Sequence, residues 1–102
     1  EMSVTRTGSN INFDGNLNPE LNLTEEATYV FDVSDSSMLG TSLAFRDSSG
    51  NKVTTGFSIS GTPGTILAEV IFTVPKSSGT LEYYDESGTI TSTGSVYTPS
   101  KV

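Results

Sequence analysis

Cysteine and histidine are both absent from this chain of 102 residues. Without cysteine there is no disulfide framework, no thiolate metal ligand and no cysteine nucleophile, so stability rests on packing and sheet hydrogen bonding. Without histidine the common Ser/His/Asp arrangement cannot be assembled, although serine is plentiful. Nor does any pair of carboxylates stand out as the acid and base of a glycoside hydrolase. The chain therefore reads as non-enzymatic. Basic residues are scarce too: Arg6, Arg46, Lys52, Lys76 and Lys101 stand singly against twelve acidic residues, for a formal net charge of -7. No basic stripe is available to neutralise phosphates, so nucleic acid and anionic membrane are not expected partners. No apolar run approaches the roughly 20 residues of a membrane-spanning helix.

Glycine, serine, threonine and asparagine fill much of the sequence instead, a composition that favours strands joined by polar turns. The length suits one core, so residues 1–102 are expected to form a single domain, with 1–10 and 98–102 as arms that are flexible or order against a partner. Alternation is the dominant pattern. Leu21 and Leu23 share one strand face, as do Tyr29, Phe31 and Val33, then Leu43 and Phe45, then Phe57 and Ile59. The longest run, "ILAEVIFTV" from 66 to 74, puts Ile66, Ala68, Val70, Phe72 and Val74 on one side of a central strand. "TLEYY" turns Leu81 and Tyr83 inward and leaves Tyr84 on the other face. About eight or nine short strands with turns between them predict an all-β, Greek-key sandwich. No window of helical length carries 3.6 periodicity, so a helix is expected only as a single turn, near Asp35 to Met38 or Asn18 to Leu21.

Three stretches carry a family resemblance: "LTEEATYVFDVSDSSMLGTSLAF", "TTGFSISGTPGTILAEVIFTVP" and "GTLEYYDESG". In their order and spacing, over roughly residues 21 to 90, they resemble the cupredoxin-like domains of marine phage and bacterial proteins. The resemblance implies an eight-stranded Greek-key sandwich which, in ordinary members, holds a copper ion through two His, one Cys and often a Met. This chain has Thr41 and Ser42 where the family has His-Pro, and Asp85 where it has the ligand Cys. The loop for the remaining ligands is shortened to "ESGT", leaving Glu86 and Thr89. With the soft donors gone, no copper and no other cofactor is expected.

A hard cation at Asp85 and Glu86, aided by Thr41 or Thr89, is the sharper reading of that vacated site. A solvated acidic turn is the expectation, because calcium requires six to eight oxygens and no calcium-loop spacing is present. Asp32 and Asp35 with Ser34, Ser36 and Ser37 likewise read as turn and cap chemistry. Tyr84 and Tyr97 are the aromatics most apt for a surface contact. Together with the resemblance, this leads to the expectation of a structural protein of a phage virion, as capsid decoration or as a tail or fibre module. Its partners would be other viral structural proteins or further copies of itself. The alternative is a carbohydrate- or receptor-binding sandwich acting outside the cell.

Overall fold

The computed structural model describes residues 1–101 and contains ten strands: β1 (Met2–Thr7), β2 (Asn10–Phe13), β3 (Asn16–Leu17), β4 (Leu21–Asn22), β5 (Thr28–Asp32), β6 (Leu43–Arg46), β7 (Phe57–Ser60), β8 (Glu69–Thr73), β9 (Leu81–Asp85) and β10 (Gly94–Tyr97). β8 and β9 bury every second side chain, so each has an apolar face and a polar one. One sheet runs β3-β2-β1-β5-β8-β7 and the other β4-β10-β9-β6. Strands distant in sequence lie side by side: β1 pairs in parallel with β5, and β4 with β10, while the remaining pairs are antiparallel. The chain crosses repeatedly between the sheets, and this is the all-β sandwich that the alternation predicts.

Between the sheets, apolar residues from both sides are fully enclosed, among them Val4, Ile11, Phe31, Val70, Leu43, Leu81 and Val96. Aromatic rings carry the contact across the middle. Phe45 stacks on Phe72 with centroids 4.4 Å apart, Phe31 lies 5.6 Å from Phe45, and Phe13 meets Tyr83 edge-on at 4.7 Å. Tyr83 passes over Gly94, where an added Cβ would stand 2.1 Å from the ring, and its hydroxyl donates to the Pro19 carbonyl at 2.6 Å. Glycine is the residue at position 94 that lets this ring cross the sheet.

The sequence expectations hold for most of the core and fail at several places. The one helical turn among the described residues is Ser36–Met38, capped by the Asp35 carboxylate, which accepts from the Ser37 amide; Asn18 to Leu21 forms no helix. Residues 1–10 are not an arm. β1 is paired on both edges, and Val4 is buried, because strand pairing with β2 and β5 satisfies its backbone internally. At the other end Thr98 is buried and its hydroxyl donates to the Gly79 carbonyl, while the Glu25 amide donates to the Pro99 carbonyl. Those contacts tie residues 98 and 99 to the body, and Val102 of the expected arm lies outside the described residues. Ile66 does not join the inward face of β8. The strand begins only at Glu69, and Ile66 and Leu67 stand 86% and 81% exposed on a turn. Ile59 is exposed as well, since β7 is an edge strand that runs past the core.

Candidate functional site

Asp85 closes β9 at a position that alternation turns inward: Leu81, Tyr83 and Asp85 are buried while Glu82 and Tyr84 are not. The carboxylate therefore enters the end of the sandwich, where it is 4% exposed. Burying a charge is costly unless donors surround it. Here the Ser42 amide donates to Oδ1 at 2.8 Å, the Ser87 amide to Oδ1 at 3.0 Å and the Ile90 amide to Oδ2 at 3.0 Å, with the Ser87 hydroxyl 2.5 Å from Oδ1. Burial pushes the Asp85 carboxyl up, but the bonds from the Ser87 hydroxyl and from the amides of Ser42, Ile90 and Ser87 outweigh it and hold the group below its ordinary value. The expected solvated acidic turn is thus corrected: Asp85 is a buried anion that joins the segment before β6 to the loop after β9.

Neighbouring bonds reinforce that junction. The Gly40 carbonyl accepts from the Thr89 hydroxyl at 2.7 Å and lies 2.7 Å from the Ser87 hydroxyl, whose single proton is shared between this carbonyl and Asp85. The Glu86 amide donates to the Ser42 carbonyl at 2.8 Å, prolonging the β6–β9 ladder. Thr41 is fully buried; its amide donates to the Met38 carbonyl, and its hydroxyl accepts from Arg6 Nη1 at 3.2 Å.

Thr41, Asp85 and Thr89 are therefore brought to one end of the fold, but each is committed to a different partner: Thr41 to Arg6, Thr89 to the Gly40 carbonyl, and Asp85 to the amides of Ser42, Ser87 and Ile90. Glu86 turns away and pairs with Lys52 at 2.9 Å. Among the described residues, no group of three or more His, Cys, Asp or Glu is placed to hold a metal ion.

Local sequence explains why the Asp85 junction forms. Four segments read Asp-x-Ser, at 32–34, 35–37, 47–49 and 85–87, and in each the serine amide donates to the aspartate carboxylate two residues earlier. The Ser34 and Ser37 side-chain and backbone bonds also lower the carboxyls of Asp32 and Asp35, as expected of turn and cap aspartates. Only the fourth segment ends a strand on its inward phase, and there the same turn acquires long-range bonds. Ser87 and Ile90 escaped the sequence reading, although the repeated Asp-x-Ser pattern was available to find Ser87; Ser42 was named there only as standing where the resembled family has His-Pro, not as a partner of Asp85.

Tyr84 and Tyr97 lie on the outer face of the second sheet, separated by about four residues of strand rise, or roughly 13 Å. Arg46 covers Tyr84, its guanidinium carbon 4.7 Å from the ring centre, and its Nε donates to Glu82 at 2.8 Å. Beside them is a shallow depression lined by Arg46, Tyr84, Ile90, Thr91, Ser92 and Thr93. Tyr97 is 54% exposed. No helix among the described residues is long and apolar enough to cross a membrane. No protein-family model, curated protein or solved structure matches this chain.

Proposed function

We propose that this chain is a non-enzymatic structural protein of a virion, a metal-free cupredoxin-like sandwich serving as capsid decoration or as a tail or fibre module. One observation carries the reading. Thr41, Ser42 and Asp85, which stand where the resembled family carries or flanks its ligands, meet at one end of the sandwich, and the Ser42 amide reaches the Asp85 carboxylate at 2.8 Å. A hydrogen-bonded anion there fastens the loops that a metal would otherwise hold. Such a substitution keeps the scaffold and dispenses with the chemistry. A protein of this kind works through its surface, and the net charge of -7 favours solubility at high copy number.

Quantitative mass spectrometry of particles purified from the native source tests the proposal. A fixed stoichiometry comparable to the major shell protein supports decoration, and a few copies per particle support a tail or fibre. Absence from every particle overturns the virion reading.

The Arg46–Tyr84 depression favours a second reading, a carbohydrate- or receptor-binding module acting outside the cell. An aromatic ring beside a guanidinium and the hydroxyls of Thr91, Ser92 and Thr93 offers both stacking and hydrogen bonding to a sugar. On a glycan array this reading expects binding by the isolated protein that Tyr84→Ala or Tyr97→Ala abolishes; no binding to any glycan sinks it.

A further inference from the structure

Ile66 and Leu67 are the most exposed large apolar residues among the described residues, at 86% and 81%. They are held out by a stitched turn. The Thr65 amide and hydroxyl both donate to the Thr62 carbonyl, the Ala68 amide donates to the Thr65 carbonyl, and Gly64 and Ala68 bond Val33 through its carbonyl and amide. Leu67 has φ 66°, a left-handed backbone that a leucine seldom adopts. The fold gains no burial from a leucine there, and strain of this kind points to a surface task. Glu1, Asp32 and Glu69 share a depression with the two side chains, so the apolar knob has an acidic rim.

Past the far end of β8 lies the opposite shape. A depression of about 330 Å³ is lined by Val53, Pro75 and Leu81, with Thr54, Thr55 and Lys52 around them. Lys76 follows Pro75 directly. The carboxylate in this lining, Asp47, already accepts the amides of Ser49 and Asn51. The knob precedes the first residue of β8 and the depression borders the segment after its last, so the two features sit at opposite ends of one strand.

We propose that further copies of this chain associate head to tail, Ile66 and Leu67 of one copy seating in the Val53, Pro75 and Leu81 depression of the next. Knob against knob would press the acidic rims together, whereas knob into depression brings them toward Lys76 and toward Lys52, which its own copy holds only in a surface pair with Glu86. The contact is heterologous, so it leaves a free knob and a free depression after every addition and grows into a chain or closes into a ring. A contact built on two aliphatic side chains is small, so it is weak between isolated copies and effective where many copies are held close. The proposal does not depend on the virion reading, because the purified protein alone reports it.

Sedimentation velocity over a concentration series up to about 1 mM, the range of a weak contact, is the test. For the unaltered protein the mean mass is expected to rise past that of a dimer. Leu67→Asp, which blocks the knob, and Thr54→Glu, which sets a charge of the wrong sign beside the depression, should each remain monomeric. An equimolar mixture of the two should recover a dimer and stop there, because each copy retains the surface the other has lost. Ile66→Asp and Thr55→Glu are the replacements if either variant loses its native circular dichroism. A monomer at every concentration, growth that halts at a dimer, a variant that associates like the unaltered chain, or a mixture that stays monomeric overturns the proposal.

Discussion

The middle of the sandwich and its Asp85 end both bury their central groups but are held by different forces. In the middle, Phe31, Phe45 and Phe72 pack ring against ring, and the attraction depends on area and shape more than on direction. At the end, one carboxylate accepts from three backbone amides and has a hydroxyl at 2.5 Å, so the attraction depends on charge and angle. A core of the first kind absorbs conservative substitutions, because a side chain of similar volume restores most of the contact. A junction of the second kind has no conservative substitute, because even the near-isosteric Asn removes the charge and sets its amide group against one of the backbone donors.

The largest loss should come from the middle. Phe45→Ala removes a ring that touches both Phe31 and Phe72, and it is expected to cost about 4 kcal/mol in urea unfolding. Phe45→Leu should cost about 1 kcal/mol, since most of the volume remains. If the two variants lose stability equally, ring stacking matters more at this site than filled space.

Asp85→Asn comes next, at about 3 kcal/mol, even though it is nearly isosteric. It removes the charge and turns one acceptor into a donor that faces an amide. The amide of Ile90 should then exchange with solvent much faster, which hydrogen exchange reads directly. The same carboxylate is expected to contribute to the acid limb of stability, beside the turn carboxylates Asp32 and Asp35. Its folded pKa lies below the ordinary value of about 4, so its contribution is complete above pH 4 and is lost as pH falls through the lowered folded value. Asp85→Asn should flatten the fall in Tm on acidification below pH 4. An acid limb of unchanged steepness would assign the effect to the turn carboxylates Asp32 and Asp35 instead.

Between these regions stands Tyr83, apolar ring in the core and hydroxyl on the Pro19 carbonyl. Burial pushes its phenol up to about 12. Because the folded value is raised, its stabilising effect is intact below pH 10 and disappears as pH rises from 10 toward 12. Tyr83→Phe should cost about 1 kcal/mol at neutral pH through the orphaned carbonyl, and it should blunt the loss of Tm in that alkaline window. An unchanged alkaline limb would show that other groups set it.

The two regions were not equally legible in the sequence. Period-two alternation marks Phe31, Val33, Leu43, Phe45, Val70, Phe72 and Leu81 as core without any knowledge of topology, because strand sides follow from parity. It misleads at Ile66, where the apolar run continues but the backbone turns, and nothing in "TILAEV" signals a left-handed Leu67. It also leaves β1 unread, because "MSVTRT" has little apolar content, and its place in the sheet comes from pairing with β2 and β5. The Asp85 junction is harder still. Local sequence gives the Asp-x-Ser turn, but whether the aspartate faces water or the interior depends on the phase of β9 and on where Ser42 arrives from another strand. Turn chemistry is local and can be read; a bond across 43 residues of chain cannot.

Asp85 and Glu86 make the smallest and sharpest test, because they are adjacent carboxylates that the sequence invites one to treat as a pair. Glu86 projects to the surface, where it meets Lys52 at 2.9 Å with nearly half of its side chain exposed. An ion pair so placed gains little over solvation and is screened by salt. Glu86→Gln is therefore expected to change stability by less than about 0.5 kcal/mol, and what effect it has should vanish in high salt. It should leave the acid limb and the exchange of the Ile90 amide as they were. If Glu86→Gln instead costs as much as Asp85→Asn, the two carboxylates act as one unit and the hydrogen-bond count at Asp85 does not explain the junction. If it is silent while Asp85→Asn is not, neighbours in sequence have been separated by a single step of strand phase, one carboxylate fastening the end of the fold and the other merely keeping it wet.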